Sequence, residues 1–182
     1  MGRLARTLGL AMGDALKLEM SSKVQDDLYW AIGKCVWHVQ YLEDVLHSYL
    51  TLKIEIRERA RVSKAEALQL LAKHRRATLG TALGIAEKHS ALPAELVTDL
   101  RALKDERDWL VHRSMHQDSD KLKSKEGQKE FFGRLADFLE ATVEIKARLF
   151  FETKAFCESH GISVEAIDGH ISNPQNSTAS EA

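Results

Sequence analysis

Proline ends helices, because its ring fixes φ and it lacks the backbone N–H that a helix interior needs. This chain of 182 residues has only Pro93 and Pro174. Around them run long stretches in which apolar residues recur at steps of three and four. No strand alternation of any length competes with that period, so the chain is predicted to be all-α. The clearest stretch runs from about Ser22 to about Arg59. There Leu28, Ile32, Cys35, Val39, Leu42, Leu46 and Tyr49 make one sustained stripe. Trp30, Trp37 and Tyr41 lie on a second face of the same helix. A helix apolar on two faces needs more than one neighbour: either a central place in its own bundle or a second subunit.

Three further helices follow. Ser63-Lys64-Ala65-Glu66 fits a capping box, and the helix it starts continues through Leu68, Leu71, Leu79 and Leu83. Gly80 and Gly84 fall inside that helix, each at a cost of about 1 kcal/mol against alanine, so a close helix–helix approach is expected there. Ser90 to Pro93 reads as a turn. The third helix runs from about Ala94 to His112 on Leu96, Leu100, Leu103 and Leu110. Arg113 to Gly127 is polar and lysine-rich and reads as a loop. The fourth helix runs from about Gln128 to Ser159, on Phe131, Leu135, Phe138, Thr142, Ile145, Leu149 and Phe156, with Gly161 as its stop. Leu4, Leu8, Ala11 and Ala15 suggest a short amphipathic helix before all of these. The expected architecture is a four-helix up-and-down bundle over residues 22–170, with an N-terminal extension over 1–21 and a disordered tail over 171–182.

Charge narrows the range of partners. The net charge is −1, so no global basic field draws nucleic acid to the chain, and such a partner must be held by a local patch. One stretch qualifies. Between Lys53 and Arg76, the cations Arg57, Arg59, Arg61, Arg75 and Arg76, with Lys53, Lys64 and Lys73, outnumber Glu55, Glu58 and Glu66. Cys35 and Cys157 are far apart and lack metal-ligand spacing, so buried, reduced thiols and a cytoplasmic location are expected. No apolar run reaches membrane-spanning length, so no membrane is expected as a partner.

Arg107 is the residue that departs most from its surroundings. It occupies the stripe position between Leu103 and Leu110, where a guanidinium must be paired or must face a cleft. Glu43 is a candidate structural partner. Asp108 and His112 are four apart and share a helix face, so the carboxylate is placed to orient the imidazole. Arg107 and His112 lie about 140° apart around an ideal helix and flank a groove. A cation, a titratable imidazole and a polar orienter at one helix end suit phosphoryl chemistry.

The run Leu103-Lys104-Asp105-Glu106-Arg107-Asp108-Trp109-Leu110-Val111-His112-Arg113 resembles the Arg-polar-x-x-x-His signature of the HEPN superfamily, the higher eukaryote and prokaryote nucleotide-binding domains. Tyr41-Leu42-Glu43-Asp44 resembles that family's leucine-glutamate segment facing the active site. Thr78-Leu79-Gly80 resembles a segment of some branches. The resemblance covers about Ser22 to Ser159. It implies a HEPN-type bundle and a metal-independent endoribonuclease with no cofactor, acting on RNA as a homodimer through the first helix and the motif helix. By this resemblance Arg107 and His112 are the catalytic pair and Asp108 the polar helper, with Glu43, His47, Arg113 and His116 supporting them. The ribose 2′-OH would attack the adjacent phosphorus, giving a 2′,3′-cyclic phosphate and a 5′-OH. His112 would act as general base or acid, and Arg107 would stabilise the phosphoryl oxygens. Ser114 stands where one toxin branch has a tyrosine that a partner enzyme modifies, and Asp108 stands in place of the commoner asparagine. An unrestrained ribonuclease is toxic, so a toxin-like or defence role and an inhibitory protein partner are expected with it.

Two other readings compete. His112 with His116, and Glu43 with His47, have the i,i+4 spacing of helical metal ligands. His116 falls past the expected helix end, however, and the spacing misses the Glu-x-x-His of di-iron bundles, so no metal is expected. The second competitor is a non-catalytic binding or dimerisation module of the same fold.

Overall fold

The computed structural model describes residues 21–57 and 62–161. Among these residues every regular element is helical: α1 Ser22–Leu50, a π-helical segment Thr51–Ile56, α2 Lys64–His74, α3 Leu79–Lys88, α4 Ala94–His112, α5 Ser114–Asp118, a 3-10 turn Ser119–Lys123, and α6 Lys125–Ser159. The expected N-terminal helix and C-terminal tail lie outside the described residues. No described helix is long and apolar enough to cross a membrane.

Four boundaries differ from the sequence reading, each for a local reason. The first helix does not continue regularly to Arg59. After Leu50 it loosens into the π segment, where the Arg57 amide donates to the Leu52 carbonyl at 2.8 Å. Thr51 turns its hydroxyl back onto the His47 carbonyl at 2.7 Å, a bond that competes with the regular ladder. The segment stops at Arg57, which has φ 58°.

The second helix is two helices. Its first part starts at the expected capping box: Ser63 Oγ accepts from the Glu66 amide, and Glu66 Oε2 accepts from the Ser63 amide. The apolar period lapses after Leu71, and Thr78 opens a new helix by accepting from the Thr81 amide at 3.3 Å. The close approach expected at the two glycines is absent at Gly84, where an added Cβ would meet nothing within 4 Å. At Gly80 it would meet Cε of Lys104 at 3.0 Å, a side chain passing over the helix.

The expected loop from Arg113 to Gly127 is helical. Leu110, Ser114, Asp118 and Leu122 are all buried at a step of four. The buried stripe therefore continues past His112, with two polar members that hide it from an apolar count. The last helix starts three residues earlier than expected, because Ser124 Oγ accepts from the Gly127 amide at 3.1 Å and caps it. Gly161 ends the description with φ 63°, the left-handed conformation suited to a helix stop.

The chain divides into two compact units. The first comprises residues up to Val39 with Asp105–Ala141, and the second comprises Gln40–Lys104 with residues from Thr142 onward. The first is built around Leu28, Cys35, Val39, Trp109, Leu110, Phe131 and Leu135, and Cys35 Sγ donates to the Leu135 carbonyl at 3.5 Å. The second is built around Leu42, Leu46, Tyr49, Leu50, Leu96, Leu100 and Leu149. Each fully buried leucine of this kind contributes roughly 1.5–3 kcal/mol. Tyr49 fixes the Ser90–Pro93 turn by donating its hydroxyl to the Ala91 carbonyl at 2.9 Å. Both cysteines are free and buried, and burial raises the pKa of each thiol.

Candidate active site at the end of helix α4

The last turns of α4 lie in the first unit, and their orientation is set by Trp109. Its ring is buried and packs against Phe131 with centroids 5.5 Å apart. Its indole N–H donates to Asp118 Oδ2 at 2.7 Å, and the Arg134 guanidinium lies 3.5 Å above the ring centroid. Arg134 in turn holds Glu106 by two hydrogen bonds of 2.8 and 3.0 Å. Burial alone would raise the Asp118 carboxyl. The hydrogen bonds from Trp109 and Lys121, with the charges of Lys121 and Arg134, outweigh it and hold the pKa below the usual value.

With Trp109 and Leu110 turned inward, the 100° step of the helix brings Asp108 and Val111 to the outside, flanked by Arg107 and His112. Arg107, read from its stripe position as paired or facing a cleft, is paired with Asp108 and 30% exposed. Trp109 fills the interior at this level instead. Arg107 Nη1 donates to Asp108 Oδ1 at 3.1 Å, and Asp108 is 31% exposed. His112 and Val111 are exposed at the end of the helix. Arg113 is exposed too and donates to the Asp105 carbonyl at 3.2 Å, while its amide closes the helix on the Trp109 carbonyl. His116 is exposed on α5, a separate helix. Arg107, Asp108 and His112 are thus brought to one open helix surface. A half-exposed ion pair is weakly held, so an incoming anion can exchange for the Asp108 carboxylate on Arg107.

Glu43 and His47 belong to the second unit. Glu43 is half-buried and His47 is buried. Burial, above all, lowers the pKa of His47. The charges of His74 and Arg75 add to that effect, while Asp44 and a hydrogen bond with the Ala77 backbone oppose it. Its Nδ1 has no hydrogen-bond partner among the described residues. His74 lies buried beside it and approaches Glu55 Oε1 at 3.4 Å.

Of the expected RNA-binding arginines, three lie among the described residues, and all three are exposed. Arg75 makes a bidentate pair with Asp44 at 2.5 and 2.9 Å. Arg57 and Arg76 are exposed, and Arg59 and Arg61 lie outside the described residues. No group of three His, Cys, Asp or Glu side chains among the described residues is arranged to hold a metal ion.

Asp118, Arg134 and Glu106 were not singled out from sequence, although they fix the motif helix. Asp118 carried one usable signal, its place four residues after Ser114 and eight after Leu110. Comparison with known proteins finds no matching family model, no matching curated protein and no matching solved structure.

Proposed function

We propose that this protein is a metal-independent endoribonuclease of HEPN type, with Arg107 and His112 as its catalytic pair. The single observation that carries this reading is the open face at the end of α4. There a half-exposed guanidinium and an exposed imidazole flank one surface, on a helix that Trp109 holds in place. His112 takes the proton from the ribose 2′-OH or returns one to the leaving 5′-oxygen. Arg107 leaves Asp108 and donates to the phosphoryl oxygens as charge develops on the phosphorane. Asp108 then serves as orienter for the imidazole one turn away. The products are a 2′,3′-cyclic phosphate and a 5′-OH. A cytoplasmic toxin-like or defence role, restrained by an inhibitory protein, follows from such an activity. A homodimer through α1 and α4, with two motifs meeting in one cleft, is part of the same reading.

Purified protein incubated with structured and unstructured RNA in the presence of chelator tests it. Cleavage should persist with chelator. It should fall about 10²–10⁴-fold in His112→Ala and about 10²–10³-fold in Arg107→Ala, magnitudes typical of a lost proton-transfer group and a lost oxyanion donor. Asp108→Asn should retain most activity. The second reading, a non-catalytic module, is favoured by the Arg107–Asp108 pair, which neutralises the cation within the chain. Absence of cleavage in the wild type across all RNAs, or equal cleavage in both alanine variants, decides for the module.

A further inference from the structure

The second unit contains a cavity of about 350 Å³, formed by residues of the π segment, the turn before α4 and the end of α6. That volume lies at the small end of ligand sites, which run from about 300 to 1,000 Å³. Lys53, Arg57, His89, Phe156 and His160 line it, and among the described residues no carboxylate does. Lys53 Nζ donates to Tyr49 Oη at 2.8 Å and to the Ala91 carbonyl at 2.5 Å, which leaves one of its three hydrogens for another acceptor. Arg57 uses Nε on the Ile54 carbonyl at 2.7 Å, and its terminal nitrogens have no hydrogen-bond partner among the described residues. Neither cation has a carboxylate partner among the described residues. Glu55 lines the adjoining cavity beside His74 instead.

Two further features mark this place. Its cations come from a π-helical segment, an element that recurs at functional sites. Arg57 also holds φ 58°, a conformation costly for a non-glycine residue and maintained only where the surroundings enforce it. In the same lining, the His160 ring lies on Phe156 with centroids 4.1 Å apart and planes 29° apart, a flat surface for another ring.

We propose that this cavity binds a phosphate monoester carrying a flat ring, with the phosphate on Lys53 and Arg57 and the ring against the His160–Phe156 stack. His89, which also lines the cavity, supplies a further donor. The site goes beyond the ribonuclease reading; it takes Arg57 from the expected RNA-binding arginines but neither Arg107 nor His112, so either can fail alone.

Calorimetric titration of the full chain with AMP, ribose 5-phosphate and inorganic phosphate tests the proposal. AMP should bind at one site, more tightly than ribose 5-phosphate, and inorganic phosphate should bind most weakly. Arg57→Gly removes the charge and relieves the φ, so the fold should be kept while AMP affinity falls about tenfold or more, as expected for a lost charged hydrogen bond. His160→Ala should narrow the difference between AMP and ribose 5-phosphate. The proposal is overturned by no saturable AMP binding at millimolar concentration, by equal affinity for AMP and phosphate, or by AMP binding unchanged in Arg57→Gly. It is also overturned if AMP does not bind while a non-cleavable oligonucleotide loses affinity in Arg57→Gly, since the cavity then belongs to the path of a polymer.

Discussion

Trp109 stands inside the motif and behaves unlike its neighbours. Arg107, Asp108 and His112 are open to solvent, whereas Trp109 needs to be buried with its N–H satisfied. Asp118, Phe131 and Arg134 meet those needs together. Because adjacent helix residues differ by about 100°, burying Trp109 also decides where its three neighbours point. His47 makes a different residue-scale statement. It is 4% exposed, and its folded pKa lies below the ordinary 6.5, through burial first and the charges of His74 and Arg75 next, against the opposing effects of Asp44 and the Ala77 backbone. The unfolded state therefore binds the proton more readily than the folded state. His47 favours folding fully above about pH 6.5, and that contribution is lost as pH falls below 6.5 toward the lowered value. Chemical denaturation between pH 7.5 and 5 should show stability falling with a slope of up to about 1.4 kcal/mol per pH unit from this group. His47→Leu, which discards a ring whose Nδ1 has no partner among the described residues, should flatten the slope. An unchanged slope in that variant would assign the acid sensitivity to other groups.

At the scale of elements, much was legible in advance. The long periodic stripes of α1, α4 and α6 announce helices because burial selects one face over many turns, and the bounds of α4 follow from Pro93 and the end of its leucine stripe. The capping box at Ser63 is equally local and equally readable. What escaped the sequence reading was decided by hydrogen bonds that leave no apolar trace. Thr78 captures an amide and divides one helix into two. Thr51 turns onto His47 and loosens another. Ser114 and Asp118 take buried positions that an apolar count assigns to solvent. The same limit applies at the site: the motif residues were visible, but the Asp118–Trp109–Arg134–Glu106 cluster that aims them joins residues from three elements. Gly127 tests this part of the fold. A Cβ there would fall on the Lys121 backbone carbonyl, which belongs to the 3-10 turn and cannot move aside as a flexible side-chain end can. Gly127→Ala should destabilise the protein by about 1–3 kcal/mol, as overpacking does. Its melting temperature should drop by roughly 2–4 °C for each of those kcal/mol. Gly84→Ala is the control, because open space surrounds that position and a helix interior favours alanine by about 1 kcal/mol. A Gly127→Ala protein as stable as wild type would show that the turn is not packed against α6 in this way.

For the whole molecule the open question is how many chains act together, and the first unit carries the relevant surface. Tyr29 is 61% exposed, Trp30 68% and Trp37 71%, all on α1, and between the two tryptophans Gly33 has nothing within 4 Å of an added Cβ. Lys34 lies 5.0 Å over the Trp30 ring. Three large aromatics on one stripe present apolar area that a second helix can bury, at about 150–250 Å² for each ring. Gly33 lets such a helix approach closely. A net charge of −1 sets up little repulsion between copies. Of the second face of α1 read from sequence, Trp30 and Trp37 are exposed, while Tyr41 is half-buried and packs against Phe150 with centroids 6.4 Å apart. Light scattering should give twice the chain mass at micromolar concentration, and the Trp30→Glu/Trp37→Glu double variant should give the mass of one chain. Because both side chains are exposed, circular dichroism of that variant should be unchanged, which separates loss of association from loss of fold. Where two motifs must share one cleft, the same variant should also lose RNA cleavage while retaining Arg107 and His112. A wild-type mass of one chain at every concentration would remove the dimer. Cleavage that survives in the double variant would show instead that one Arg107–His112 pair is sufficient.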